Sequence, residues 1–100
     1  MTSDDNEVLL CCLLWARDGA AAGLAAYEDR VLTLISEHGG QVVQRAQSGG
    51  LHDHPQEVQL LRFRSQAMVD AYLADPRRVS LAAERDRVIE RTELFPVSLA

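Results

Sequence analysis

Two histidines, His52 and His54, flank Asp53 in the stretch GGLHDHP, and a His-x-His arrangement can offer two imidazole nitrogens to a metal ion. Structural zinc wants four ligands and catalytic zinc three, while both cysteines stand far off at Cys11 and Cys12. The required set is not visible locally, so no metal and no cofactor is expected. The same imidazoles, with His38, are the groups best suited to take a proton near neutral pH. His38 falls near the end of a helical segment, where bonding the last carbonyls or lying against the sheet is the expected role.

Two arginines form the second cluster. Arg45 and Arg62 face each other across a hairpin if its centre is near Asp53 and His54; like charges directly opposed then call for an anion, a carboxylate such as Glu93, or one from a partner chain. That arrangement would bind an acidic small molecule. A slip of one residue in register would put the two arginines on opposite faces. Trp15 and Tyr27 are the aromatic candidates, placed to line a cavity between the sheet and the first helix. The candidate ligand-binding residues are thus Trp15, Tyr27, Arg45, Arg62 and His54. Adjacent Cys11 and Cys12 point to opposite faces of a strand, so they read as reduced, small hydrophobes. No nucleophile elbow, phosphate loop, metalloprotease helix or zinc-ribbon spacing occurs in the chain.

The 100 residues, 47% hydrophobic and 25% charged, are enough for one domain with one modest core. With 15 acidic against 10 basic side chains the net charge is −5, a surface that repels nucleic acid and anionic lipid. Neither is expected as a partner. The opening MTSDDNE is acidic where a secretory signal is basic, and the apolar run after it is far shorter than a membrane span. A cytoplasmic protein is expected, with a loose tail over residues 1–6 and one domain over residues 7–100.

The elements that must position these side chains follow from periodicity. Val8 to Trp15, VLLCCLLW, is an unbroken apolar run and reads as a central strand. Asp18 is a fair cap for an amphipathic helix carrying Leu24, Tyr27, Val31, Leu34, Ile35 and His38 on its apolar face, with Glu28 and Asp29 turned largely away. Gly39-Gly40 ends it. QVVQRAQS and EVQLLRFR read as strands around the GGLHDHP loop, and Ser65 caps a second helix toward Leu73. Asp75-Pro76 suits a cap and first position of a new helical stretch through RRVSLAAERDRVIER, and TELFPV closes the chain as a strand. This order is the α+β motif βαββαβ. Right-handed crossovers give a four-stranded antiparallel sheet in the order 4-1-3-2, with two helices on one face.

The first strand is apolar on both faces, and no element remains for the second. Leaving such a stripe wet forfeits about 1.5–3 kcal/mol per large side chain. A second copy of the chain, sheet facing sheet, is the expected cover.

GLAAYEDRVLTLISEHGGQVVQR resembles the first helix and second strand, and DHPQEVQLLRFRSQAMVDAYLADP the third strand and second helix, of small bacterial proteins of the dimeric α/β-barrel superfamily. The likeness runs from Glu7 to Val97 and is nearest to uncharacterised members. It implies a ferredoxin-like subunit whose sheets pair into a dimeric barrel, often with a small ligand cavity between sheet and helices. Where such relatives often carry a glutamate and then a proline around the phenylalanine, this chain has Arg62 and Arg64. The superfamily includes cofactor-free monooxygenases, lactone isomerases, haem-degrading enzymes and many proteins without known activity, so fold leaves function open. The expected function is a homodimeric binder of a small acidic or aromatic metabolite. The alternatives are a cofactor-independent monooxygenase- or isomerase-like enzyme using His38, His52 or His54, and a structural or regulatory dimer without ligand.

Overall fold

The structure, a computed structural model, describes residues 6–100. The expected tail falls almost wholly on residues 1–5, outside the described residues. Strand β1 (Val8–Ala16) leads into helix α1 (Ala21–Val31), which tightens into a 3-10 segment over Leu32–His38 before β2 (Gly40–Gln47). A loop with a short 3-10 turn at Leu51–Asp53 joins β2 to β3 (Glu57–Phe63). Helices α2 (Gln66–Leu73), α3 (Pro76–Val79) and α4 (Ala82–Val88) follow, and β4 (Ile89–Pro96) ends the sheet. All pairings are antiparallel in the order β2-β3-β1-β4, the ferredoxin-like arrangement. The sheet stays open, with β2 and β4 as edges.

The local signals explain most boundaries. Ser65 caps α2 by accepting a hydrogen bond from the Met68 N–H, and Asp75 caps α3 by accepting one from Arg77, with Pro76 at the first helical position. Gly39 closes the 3-10 segment at φ +65°, a conformation that suits glycine. Three expectations need correction. Asp18 does not cap α1; Gly19 instead completes a tight turn that returns the Ala20 N–H to the Arg17 carbonyl, and the helix starts after Ala20 without a side-chain cap. The helical stretch after Pro76 is two short helices, because the Ser80 hydroxyl donates to the Arg77 carbonyl and competes with the backbone ladder. The last strand begins at Ile89 and not Thr92, where Ile89 pairs with Ala16 across an irregularity in the ladder.

Residues opposite one another in an antiparallel pair share a face, so the register sorts the sheet. Leu10, Cys12 and Leu14 of β1 lie with Leu61 and Phe63 of β3 beneath the helices. There they form two clusters, one with Leu32, Ile35, Val69 and Tyr72, the other with Leu24, Tyr27, Val31 and Ile89. The other face carries Leu9, Cys11 and Leu13, flanked by Val58 and Leu60 on β3 and Phe95 on β4. These outer residues of β1 and β3 are half-buried by their neighbours, and Phe95 is 38% exposed. No described helix is long and apolar enough to cross a membrane.

Gly40 begins β2 where a Cβ would stand 2.6 Å from Ile35 Cγ1 and 2.8 Å from Phe63 Cε2. Gly40→Ala should therefore cost about 1–3 kcal/mol through overpacking, and Phe63→Ala about 3–5 kcal/mol through the cavity it leaves. Urea midpoints of the two variants check both; a Gly40→Ala protein as stable as wild type would contradict the close approach.

Candidate functional site

A buried polar chain crosses the helix side of the sheet. Its base is Glu57, the first residue of β3, with no exposed surface. A carboxylate there must be answered by charge and hydrogen bonds. Arg45 supplies both, Nε donating to Glu57 Oε2 at 2.8 Å and Nη2 to Oε1 at 3.1 Å. Gln47 adds a bond at 3.3 Å. The remaining Arg45 nitrogen donates to Asp29 of α1 at 2.7 Å, which ties the hairpin to the helix.

Arg45 reaches this face because β2 is irregular. The pairs run Gly40–Phe63, Gln41–Arg62 and Val42–Leu61, then resume as Gln44–Leu60, Arg45–Gln59 and Ala46–Val58, so that one residue is inserted around Val43. A bulge of this kind reverses which residues face inward. Without it Arg45 would point away from the core.

Gln59 carries the chain onward. Its amide nitrogen donates to Glu57 Oε2 at 2.7 Å and to Glu28 Oε1 at 2.8 Å, linking two carboxyls from different elements. Gln59 is 1% and Glu28 6% exposed. The two acids are driven apart electrically. Burial pushes Glu57 up, but the bonds from Arg45, Gln59 and Gln47 outweigh it, and the group stays ionised below its ordinary range. Burial pushes Glu28 up as well; there the Gln59 bond and the Arg78 and Arg45 charges do not compensate, and the Glu57 charge adds to the rise. A pair of carboxyls separated in this way is the pattern of an acid–base site.

Glu28 and Gln59 open onto a cavity of about 50 Å³ between sheet and helices. Leu10, Leu61 and Val69 are among its apolar walls, while Tyr72, Arg78 and Arg85 bring polar groups from the helical side. Burial lifts the Tyr72 phenol to about 12 despite the nearby Arg78 charge, and its hydroxyl donates to the Val31 carbonyl. Burial likewise lifts the Cys12 thiol to about 12, which leaves it unreactive. Apolar walls with a few converging polar groups and a perturbed carboxyl mark the default ligand site.

The residues singled out from sequence are dispersed. Arg45 lies opposite Gln59 and Arg62 opposite Gln41, on different faces of the sheet, so they form no joint anion site. Arg45 is answered by Glu57 and Asp29, Arg62 stands 3.6 Å from Glu7, and Glu93 pairs with Arg91. Tyr27 is a core residue. Trp15 does not share a cavity with it: Trp15 lies on the far side of the sheet, its ring 3.9 Å from the Arg91 guanidinium and its indole N–H donating to the Asp53 carbonyl. There Trp15 and His54 line a wide polar cleft of about 390 Å³ at the end of the sheet.

None of the histidines lines the inner cavity. His38 donates to Asp75 at 2.8 Å and steadies the α2–α3 junction. His52, at φ +57°, and His54 belong to the β2–β3 loop, their rings 6.0 Å apart. Among the described residues no three metal-binding side chains cluster. Sequence reasoning missed Glu28, Gln59 and Arg78. One available signal was Gln59, a polar residue between Glu57 and Leu61 on the inward period of β3.

No family model matches the chain, and no curated protein does. Solved structures match its fold. A protein of unknown function from Rhodopseudomonas palustris is 20% identical, with TM-score 0.77 over 96% of this chain and 84% of that one. A NIPSNAP family protein of unknown function from Agrobacterium tumefaciens is 18% identical, with TM-score 0.72 over 96% and 90%. A NIPSNAP-like domain protein from Burkholderia xenovorans is 13% identical, with TM-score 0.73 over 96% and 87%.

Two measurements follow. The folded chain holds the Glu28 proton at pH values where the unfolded chain has lost it, so this group makes stability fall as pH rises through the window above the ordinary glutamate range. Glu28→Gln should flatten that fall and raise the melting temperature more at pH 8 than at pH 4; the same shift at both would contradict the perturbed carboxyl. Arg45→Met strands the buried Glu57 carboxylate and should cost about 3–5 kcal/mol in chemical denaturation.

Proposed function

We propose that the chain is a cytoplasmic homodimer of the dimeric α/β-barrel kind that binds a small metabolite between its sheet and helices. The observation that carries the reading is Glu28, a buried carboxyl held through one side-chain bond to Gln59 at the wall of a cavity with apolar sides. A core built for stability alone would fill that space with hydrocarbon, since voids and half-satisfied acids both cost stability. Retained polar groups of that kind belong to sites where function offsets the loss.

The dimer is supported by the outer face. Leu9, Cys11, Leu13, Val58, Leu60 and Phe95 form one apolar stripe across three strands, with Arg62 and the Arg91–Glu93 pair at its margins. Two such faces related by a two-fold axis are self-complementary. The similarity in fold to NIPSNAP-like proteins is compatible with this assignment and names no ligand.

A second reading rests on the same carboxyl. A glutamate whose affinity for protons is raised by burial is a better base than an ordinary carboxylate, which fits a cofactor-independent isomerase- or monooxygenase-like enzyme. In that reading Glu28, and not His38, His52 or His54, is the base.

Native mass spectrometry of freshly purified protein should find a dimer carrying a small molecule. Leu94→Trp, at the half-open edge of the cavity, should lose the adduct and keep the dimer. Leu13→Lys on the outer face should give a folded monomer by ultracentrifugation, whereas Leu10→Lys on the inner face should prevent folding. A wild-type monomer at micromolar concentration would contradict the dimer, and adduct-free wild-type protein would contradict the ligand.

A further inference from the structure

The wall of the inner cavity contributed by α3 holds a cation with no ion-pair partner among the described residues. Among the described residues, Arg78 Nε is the one buried side-chain nitrogen or oxygen that has no hydrogen-bond partner. Arg78 enters none of the ion pairs formed among those residues. Its guanidinium lies over the Tyr72 ring, 5.1 Å from the centroid, and helps to line the cavity. A buried N–H with no acceptor costs about 1–3 kcal/mol. The Tyr72 ring covers one face of the guanidinium and its hydroxyl takes one side-chain bond from Arg78, so the Nη donors left over at the cavity wall are the ones available to a planar anion.

Three further features narrow what that anion is. Arg85 lines the same cavity and is oriented by its bond to the Thr92 hydroxyl at 3.0 Å, so a second cation and a hydroxyl stand close to the first. Opposite charge in the cavity wall comes from Glu28, a group that burial inclines toward its neutral form. Two cations against at most one negative charge leave this wall net positive, which favours an anion. Leu61 and Leu94 supply hydrocarbon walls, and these would reject a fully polar ion such as phosphate. The space of about 50 Å³, set against about 10–15 Å³ for a single water, makes room for a ligand of about three to five non-hydrogen atoms.

We infer that the cavity binds a short-chain monocarboxylate, its carboxylate on the Arg78 guanidinium and its short alkyl part against Leu61 and Leu94. This rests on the cavity being the ligand site, as argued above, and adds the class of ligand. Arg78 is then the specificity-determining residue, and Glu28 is the group nearest in chemistry to a polar substituent on the chain of the acid.

Isothermal titration and ligand-observed NMR with propionate, its neutral isostere propionamide, and inorganic phosphate test this on the wild-type protein. Propionate is expected to bind about tenfold or more tightly than propionamide, the worth of one charge-assisted pair, and phosphate not at all. Arg78→Gln should remove that preference and leave propionamide binding unchanged. Circular dichroism checks that the variant folds, and the wild-type comparison of acid with amide stands without it. Equal affinity for propionate and propionamide, or tighter binding of phosphate, would overturn the carboxylate inference while leaving the cavity as a site. If neither propionate nor propionamide binds, the cavity reading falls with it.

Discussion

The pairing of Arg45 with the fully buried carboxylate of Glu57 is the interaction on which the interior arrangement turns. A charge with no solvent access is tolerated only when a cation and several donors reach it, and the only route for Arg45 to that position is through the extra residue in β2. The bulge, the hairpin register and the inward turn of Arg45 are therefore one constraint seen three ways. The same guanidinium reaches Asp29, so α1 is placed relative to the hairpin, and placing α1 places Glu28 one residue earlier in that helix. Gln59 then closes the chain between the two acids.

From that arrangement comes a division of labour between the two carboxyls. Glu57 is saturated with donors and remains ionised, a fixed negative charge with a structural task. Glu28 has one side-chain donor and a neighbour of like charge, so its proton affinity rises and it faces the cavity with unspent bonding capacity. The helical side complements it with Arg78 and Arg85, giving a small space that has an acid at one wall, cations at another and hydrocarbon between them. The outer face of the sheet, by contrast, has an apolar stripe across its central strands bordered by Arg62, Arg91, Glu93 and, on β2, Gln41 and Gln44, and suits association more than recognition of a small ligand. β1 serves both: Leu10, Cys12 and Leu14 belong to the cavity side, and Leu9, Cys11 and Leu13 to the outer stripe.

Much of the fold was legible from local rules. Ser65, Asp75-Pro76 and Gly39 announce their caps and stop by chemistry that acts over three or four residues, and the two-sided hydrophobicity of VLLCCLLW marks a central strand. The candidate site was far less legible. Glu28 follows Leu24 by four residues and precedes Val31 by three, the spacing of the inward stripe, and only its charge made it read as outward; Gln59, distant in the chain, supplies the donor that lets the acid stay inside. Trp15 looked like a cavity wall, but alternation along β1 puts it opposite Arg91 on the outer side of the sheet, where the cation covers its ring.

What the amino-acid sequence determined by itself was the order of elements, most of their ends, and a central strand apolar on both faces, since propensity, capping and hydrophobic period are properties of neighbouring residues. Tertiary structure decided which polar groups meet. A single inserted residue in β2 inverts the facing of Arg45, and the worth of every buried charge depends on partners distant in the chain, so neither could be summed from the residues one segment at a time.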